Sequence, residues 1–233
     1  VNDTSSYSFT INGFRRGAIK IAPVALFGAA FGAVFGIAAA ETGISSLETA
    51  LMSAFVFAGA SQFAALEIWG AEMSLLALAA LTLAVNARHV LMGASLSPWL
   101  KTAPWRIKCL VAASLTDANW ALGLQQRHRG EADAAYLVGS GAAMISCWIA
   151  GTILGAFFGA LVPTPHKFGL DMMMPVFFAA LLTDMWKGKS SLIPWAVAGL
   201  VAILAREVLP DSWYIIAGAF AGGVIGVLVN GDQ

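Results

Sequence analysis

The stretch Ile21-Ala-Pro23-Val-Ala-Leu-Phe-Gly28-Ala-Ala-Phe-Gly32-Ala-Val-Phe-Gly36-Ile-Ala-Ala-Ala40 decides the fold class. It carries no charge over 20 residues, the length of helix that crosses a bilayer core of about 30 Å. It shows no period-2 alternation, so it reads as a helix and not as a strand of a membrane barrel. Its glycines recur every fourth residue and therefore share one helix face, where a missing side chain lets another backbone approach.

The same character runs through the chain. Seven further apolar segments follow 17–40, at 47–66, 73–97, 107–125, 134–162, 168–186, 190–205 and 212–229. Over 233 residues, 59% are hydrophobic and 11% charged, against about 25% charged in a soluble domain. The mean hydropathy is +0.78. The surface is thus solvated mainly by lipid, and the class is an all-α polytopic membrane protein. Thirteen Lys and Arg balance thirteen Asp and Glu, which leaves no net field to attract nucleic acid. Cys109 and Cys147 have no ligand-like neighbours, and no phosphate loop, HExxH or CxxC spacing occurs. Neither a metal, a cofactor nor ATP hydrolysis is expected, so an enzyme is not the favoured reading. Trp69, Trp99, Trp105, Trp186, Trp195 and Trp213 lie near segment ends, where interfacial anchors sit.

The order of motifs suggests two related halves, 1–130 and 131–233. Gly32-Ala-Val-Phe-Gly36 returns as Gly155-Ala-Phe-Phe-Gly159, Phe63-Ala-Ala-Leu66 as Phe178-Ala-Ala-Leu181, and Ala87-Arg-His-Val-Leu91 as Ala205-Arg-Glu-Val-Leu209. Further glycine triplets fall at Gly151, Gly155, Gly159 and at Gly218, Gly222, Gly226. Basic residues are expected on the cytoplasmic side. If 47–66 and 168–186 are broken and re-entrant, Arg15, Arg16, Lys20, Lys101, Arg106, Lys108, Lys167, Lys187 and Lys189 fall inside, with Arg127, Arg129 and Arg206 outside. Three spans per half then give inverted-topology repeats with a cytoplasmic N-terminus. Gly59-Ala-Ser-Gln62 would break the first exceptional segment, and Gly169 with Pro175 the second.

Polar residues inside apolar segments are costly and mark candidate sites. Asn86, Arg88 and His89 form the densest group, Arg88 being suited to a carboxylate and His89 to a proton. Pairing of Arg88 with Asp117 or Asp171, purely to hold the bundle, is the competing reading. Asp117 stands among small neighbours and is the first choice for a proton-coupling carboxylate. Ser61 and Gln62 lie at a helix break, and Asp171 opens the sixth segment as a cap or as a substrate ligand. Met172, Met173, Met174, Phe177 and Phe178 are placed to line an aliphatic pocket or simply to pack.

These residues carry a resemblance. Gly13-Phe-Arg-Arg-Gly-Ala18, Pro23, Phe57-Ala-Gly-Ala-Ser-Gln-Phe63, Asn86-Ala-Arg-His-Val-Leu-Met-Gly-Ala-Ser-Leu96, the Asp117 segment, Gly169-Leu-Asp171 and Pro175-Val-Phe-Phe178 together resemble the AzlC family of branched-chain amino acid exporters. The likeness runs from about residue 12 to 230. It implies a multi-pass protein of the inner (cytoplasmic) membrane that exports hydrophobic, branched-chain amino acids; valine, leucine and isoleucine, with methionine as a further candidate, are the expected substrates, and the acids inside apolar segments make proton antiport the expected coupling. It also implies a second, small membrane subunit of the AzlD type. Ser61, Gln62, Asn86, Arg88 and Asp171 are the expected substrate-binding residues, with Asp117 and His89 as proton-coupling ones. The alternative is a membrane-integral accessory subunit whose partner forms the path.

Overall fold

The computed structural model describes residues 8–70, 74–131, 133–161, 188–209 and 213–230, together with Met172, Val176, Ala179, Thr183 and Trp186. Most of the expected 168–186 break, including Asp171, Pro175, Met173, Met174, Phe177 and Phe178, lies outside the described residues. The described residues are almost entirely helical and contain no strand longer than one isolated bridge. Three helical stretches, Ile11–Glu41, Leu75–Leu96 and Ala135–Gly159, are long and apolar enough to cross a membrane. The chain divides into two compact units: Val1–Gly59 with Ala87–Pro163, and Ala60–Asn86 with Thr164–Gln233. Each unit draws residues from both sequence halves.

The first unit is built on α1 (Ile11–Glu41) and α8 (Ala135–Leu161). A Cβ on Gly17 would collide with the Tyr136 carbonyl, and one on Gly139 with that of Phe14. Deeper along the pair, Gly151 and Gly155 leave the same space for the carbonyls of Ala29 and Ala33, and Gly36 for that of Thr152. The glycine faces read from the sequence therefore mate with each other. Their partners rise together in number, so the two helices run parallel. The expected inverted relation is therefore not confirmed. A two-fold axis in the membrane plane would set these opening helices of the two halves antiparallel, and backbone contact fixes the opposite direction.

Parallel helices start at one end, and a polar latch ties them there. The Asp133 carboxylate accepts from the backbone N–H of Thr10 (3.2 Å) and of Ala135 (3.1 Å), capping the starts of both helices. Ala134 N–H donates to the Ser8 carbonyl at 2.8 Å, and Arg16 pairs with Glu131 at 2.6 Å.

From the opposite end α2 (Ser46–Val56) descends along α8. Its Ser53 hydroxyl meets that of Thr152 at 2.9 Å in a buried contact. The helix stops at Phe57, whose positive φ of 31° breaks it beside the middle of α8, where Gly59 faces the Trp148 ring. Gly59-Ala-Ser-Gln62, expected as the break itself, instead forms the opening turn of α3 (Gly59–Glu67).

The fourth apolar segment, 107–125, departs from its expected course across the membrane. It consists of α6 (Trp105–Ala113) and α7 (Asp117–His128), separated at residues 114–116. Before it, α5 (Arg88–Leu96) leads into a turn whose Trp99, Leu100 and Ala103 pack with Ala134 and Leu137 at the start of α8. After it, Arg127 lies over the Trp99 ring at 5.7 Å. Both ends of the segment thus sit at the latch end, while its tip reaches Gly141, where a Cβ would collide with the Ser114 carbonyl. At 1.5 Å per residue the tip lies about 9 Å below the start of α8. The segment is re-entrant. It returns Arg127 and Arg129 to the same end as Arg15, Arg16, Lys20, Lys101, Arg106 and Lys108, correcting their expected opposite placement. Trp99, expected as an interfacial anchor, is buried in the cluster.

In the second unit, α9 (Leu192–Arg206) and α10 (Trp213–Asn230) form an antiparallel pair, with Gly218 and Gly222 facing Ala198, Ala202 and Pro194. The second unit also contains α3 and α4 (Leu75–Asn86).

Three outcomes follow from this architecture. Gly155→Leu should abolish folded protein in the membrane, because overpacking against backbone costs about 1–3 kcal/mol or more. Gly199→Ala, which meets no neighbouring atom, should leave the thermal midpoint unchanged or higher. Single cysteines at Thr10, Lys101 and Arg129, in a background lacking Cys109 and Cys147, should all label from one side of the membrane. A spanning fourth segment would separate Lys101 from Arg129.

Candidate functional site

The breaks place the sequence-selected residues in two groups, one in each unit. In the second unit, Ser61 occupies the first turn of α3 and Asn86 ends α4. The Asn86 amide donates to the Ser61 hydroxyl at 2.9 Å, and Ser61 and Gln62 are buried. This contact ties two helix ends that bear polar groups within apolar segments.

In the first unit, Arg88 begins α5 and Asp117 begins α7. Their side chains meet at 3.0 Å, Nη1 to Oδ2. Asp117 is therefore not the unpaired acid its small sequence neighbours suggest. Its partner comes from a segment 29 residues earlier in the chain, which the re-entrant course of α6 and α7 brings alongside. Helix starts are electropositive, so the N-terminus of α7 favours Asp117 while that of α5 opposes Arg88. The pair is also accessible, with side-chain exposures of 42% for Arg88 and 60% for Asp117. An exposed ion pair stabilises a fold by about 0–1 kcal/mol, so both charges can change partners at modest cost.

Local chemistry holds this arrangement. Thr116 caps α7 by accepting from Asn119 N–H, while the Asn119 side-chain oxygen accepts from Thr116 N–H at 2.7 Å. The Asn119 amide also donates to the carbonyls of Ser114 (2.7 Å) and Leu137 (3.2 Å), fastening the re-entrant tip to α8. Trp120 Nε1 donates to Ser95 Oγ at 2.8 Å, joining α7 to α5 above the ion pair. Ser95 and Asn119 act here as positioning residues, a role the sequence alone did not assign to them, although Asn119 stands out there as a polar residue interrupting its apolar segment. The Thr-x-x-Asn spacing of a cap was the visible signal for Asn119.

His89, next to Arg88, lines a cavity of about 270 Å³ between α5 and α6. Asp171, the remaining expected ligand, lies outside the described residues. Met172, at the edge of the expected aliphatic pocket, is exposed.

The described residues thus combine three helical stretches long and apolar enough to cross a membrane with an accessible pair of opposite charges at two helix starts. Comparison with known proteins agrees. A family model described as AzlC protein matches residues 23–162, a stretch that contains Ser61, Gln62, Asn86, Arg88, His89 and Asp117. Inner membrane protein YgaZ of Escherichia coli (strain K12) is 30% identical over 81% of this chain and 79% of its own length. An uncharacterized membrane protein of Archaeoglobus fulgidus is 29% identical over 91% of this chain and 93% of its own. The branched-chain amino acid transport protein AzlC of Bacillus subtilis (strain 168) is 25% identical over 84% and 76%, respectively. No solved structure gives a significant match. The chain belongs to the AzlC family.

The latch at the opposite end of this hairpin has its own pH signature. The hydrogen bond from Arg16, more than its charge, holds the Glu131 carboxyl below the ordinary glutamate value of 4.5. A depressed acid stabilises the fold above its unfolded value, and that contribution disappears as pH falls through the lower folded one. Hydrogen-exchange protection at Ala134 and Gly13 should therefore fall below pH 4.5. Glu131→Gln should lower it already at neutral pH.

Proposed function

We propose that this chain is a secondary transporter that exports hydrophobic, branched-chain amino acids across the cytoplasmic membrane, with its basic end in the cytoplasm. The observation that carries this reading is the accessible Arg88–Asp117 pair. A zwitterionic amino acid presents one carboxylate and one ammonium. Its carboxylate can take the guanidinium fork of Arg88, and its ammonium the carboxylate of Asp117. One internal ion pair is thereby exchanged for two contacts to substrate, and no charge is left bare in a medium where that is costly.

The same geometry supports a proton-coupled reading. Antiport requires that substrate and proton exclude one another. On this reading the substrate ammonium and a proton compete for the Asp117 carboxylate, and His89 beside Arg88 relays the proton. Ser61, Gln62, Asn86 and Asp171 remain proposed substrate-binding residues by their residue types, three neutral hydrogen-bonding groups and one acid. The substrates are valine, leucine and isoleucine, with methionine as a fourth. A small membrane subunit of the AzlD type accompanies the chain, covering part of its exposed apolar helix surface. The name of the Bacillus subtilis relative supports the substrate class.

In cells loaded with a valine-containing dipeptide, Asp117→Asn should abolish proton-dependent valine efflux while protein remains in the membrane. Arg88→Gln should lower efflux roughly tenfold or more, the effect of losing about 1.4 kcal/mol of binding. Normal efflux from Asp117→Asn would refute the proton role, and normal efflux from both variants would remove the pair from the transport path.

A further inference from the structure

We propose that the cavity between α5 and α6 is a loading subsite for aliphatic amino acids, with Gly93 and Ala112 setting the size of side chain it admits and Lys108 holding the substrate carboxylate. This rests on the transport reading above and adds a second binding position to it.

The cavity's walls are apolar. Leu96 and Leu100 contribute from α5 and the turn after it, and Val111 and Leu115 from α6 and its end. Lys108 and His89 supply its polar groups. Lys108 Nζ reaches back to the Lys101 carbonyl at 3.3 Å, so the two helices leave their turn side by side. Lys108 therefore lies at the basic end of the cavity, and His89 at the end beside the Arg88–Asp117 pair. An ammonium has three donors, and the Lys101 carbonyl engages one, leaving donors for a carboxylate. At about 270 Å³ the space matches a single small molecule and approaches the lower bound of typical ligand pockets, about 300 Å³.

An aliphatic chain joined to an anionic head is what such a site complements. The cavity lies between the basic turn and the ion pair, where a substrate arriving from the basic end would pause. Gly93 is the revealing position. It lines the cavity, yet no atom lies within 4 Å of where its Cβ would be. Glycine is unfavourable within a helix, and no close backbone approach requires it here, unlike Gly155 or Gly141. Unlike Gly199, which is equally open, Gly93 faces the cavity, so a side chain placed there would take up its space.

The test uses whole-cell efflux with the full chain. Gly93→Leu and Ala112→Leu should raise the KM for leucine and isoleucine at least fivefold, and that for valine less, with kcat within twofold of the parent. Lys108→Gln should raise KM for all three, and Lys108→Arg should restore it. A second readout needs no transport. In a Cys109→Ser background, leucine should protect Ala112→Cys from maleimide, whereas isobutylamine, which has no carboxylate, should not. Protection without efflux would support the subsite while overturning the transport reading. Efflux with unchanged KM in Gly93→Leu and no protection of Ala112→Cys would overturn the subsite alone. A lipid that co-purifies with the parent protein and is lost in Gly93→Leu, with efflux kinetics intact, would assign the cavity to lipid and also overturn the proposal.

Discussion

Everything in the first unit depends on the direct backbone contact between α1 and α8. Between membrane helices the hydrophobic effect supplies little attraction, because lipid tails are as apolar as leucine side chains. Association rests on close packing, and glycine permits the closest approach. Gly17, Gly36, Gly139, Gly151 and Gly155 each face a carbonyl or amide of the other helix, leaving no space for a methyl group. The pair then acts as a ruler. Thr152 receives Ser53 of the descending α2, the Trp148 ring covers Gly59 at the α2 break, and Gly141 receives the tip of the re-entrant hairpin. The depth of each polar feature is set by the α8 residue it touches.

This dependence explains what could be read from the sequence. The glycine faces were visible because a period of four marks one side of a helix whatever it packs against. Their mutual pairing was not, since the sequence pattern contains no direction. The inverted relation inferred from repeated motifs is therefore not confirmed, since α1 and α8 run parallel. The course of segment 107–125 was hidden for a related reason. A 19-residue apolar stretch satisfies lipid equally well as one crossing or as two short helices meeting at a tip. The distinguishing signal is Ser114-Leu-Thr-Asp117, where Thr116 and Asn119 begin a new helix. An apolar count passes over such a cap.

Asp117 illustrates the same limit at a single residue. Local sequence surrounds it with alanine and serine, so it reads as isolated. Its partner Arg88 arrives only because α5 and α7 both run from the tip toward the latch end and lie against each other. The Arg88–Asp117 pair was one of the alternatives open at the sequence level, and the chain path selects it. Helix–helix pairs three or four residues apart are legible from spacing, whereas this one is created by a fold.

The arrangement of charge gives that pair its meaning. The first unit contains nine of the thirteen Lys and Arg residues, and eight of them lie at the latch end: in the first turns of α1, in the turn before α6, in the first turn of α6, and at the end of α7. Such clustering follows from the cost of charge in hydrocarbon and from the cytoplasmic bias of basic residues. Arg88 is the exception, and no interfacial role explains it, since α5 begins at the inner end of the hairpin. A cation that merely needed neutralising could have been replaced by a neutral residue, with Asp117 replaced as well, at little cost to stability, because an exposed pair contributes only about 0–1 kcal/mol. What the pair retains is a cation and an anion, both accessible and both at helix starts, opposite in sign and 3.0 Å apart. That is the chemical complement of a zwitterion, and it lies next to a cavity whose walls suit an aliphatic side chain.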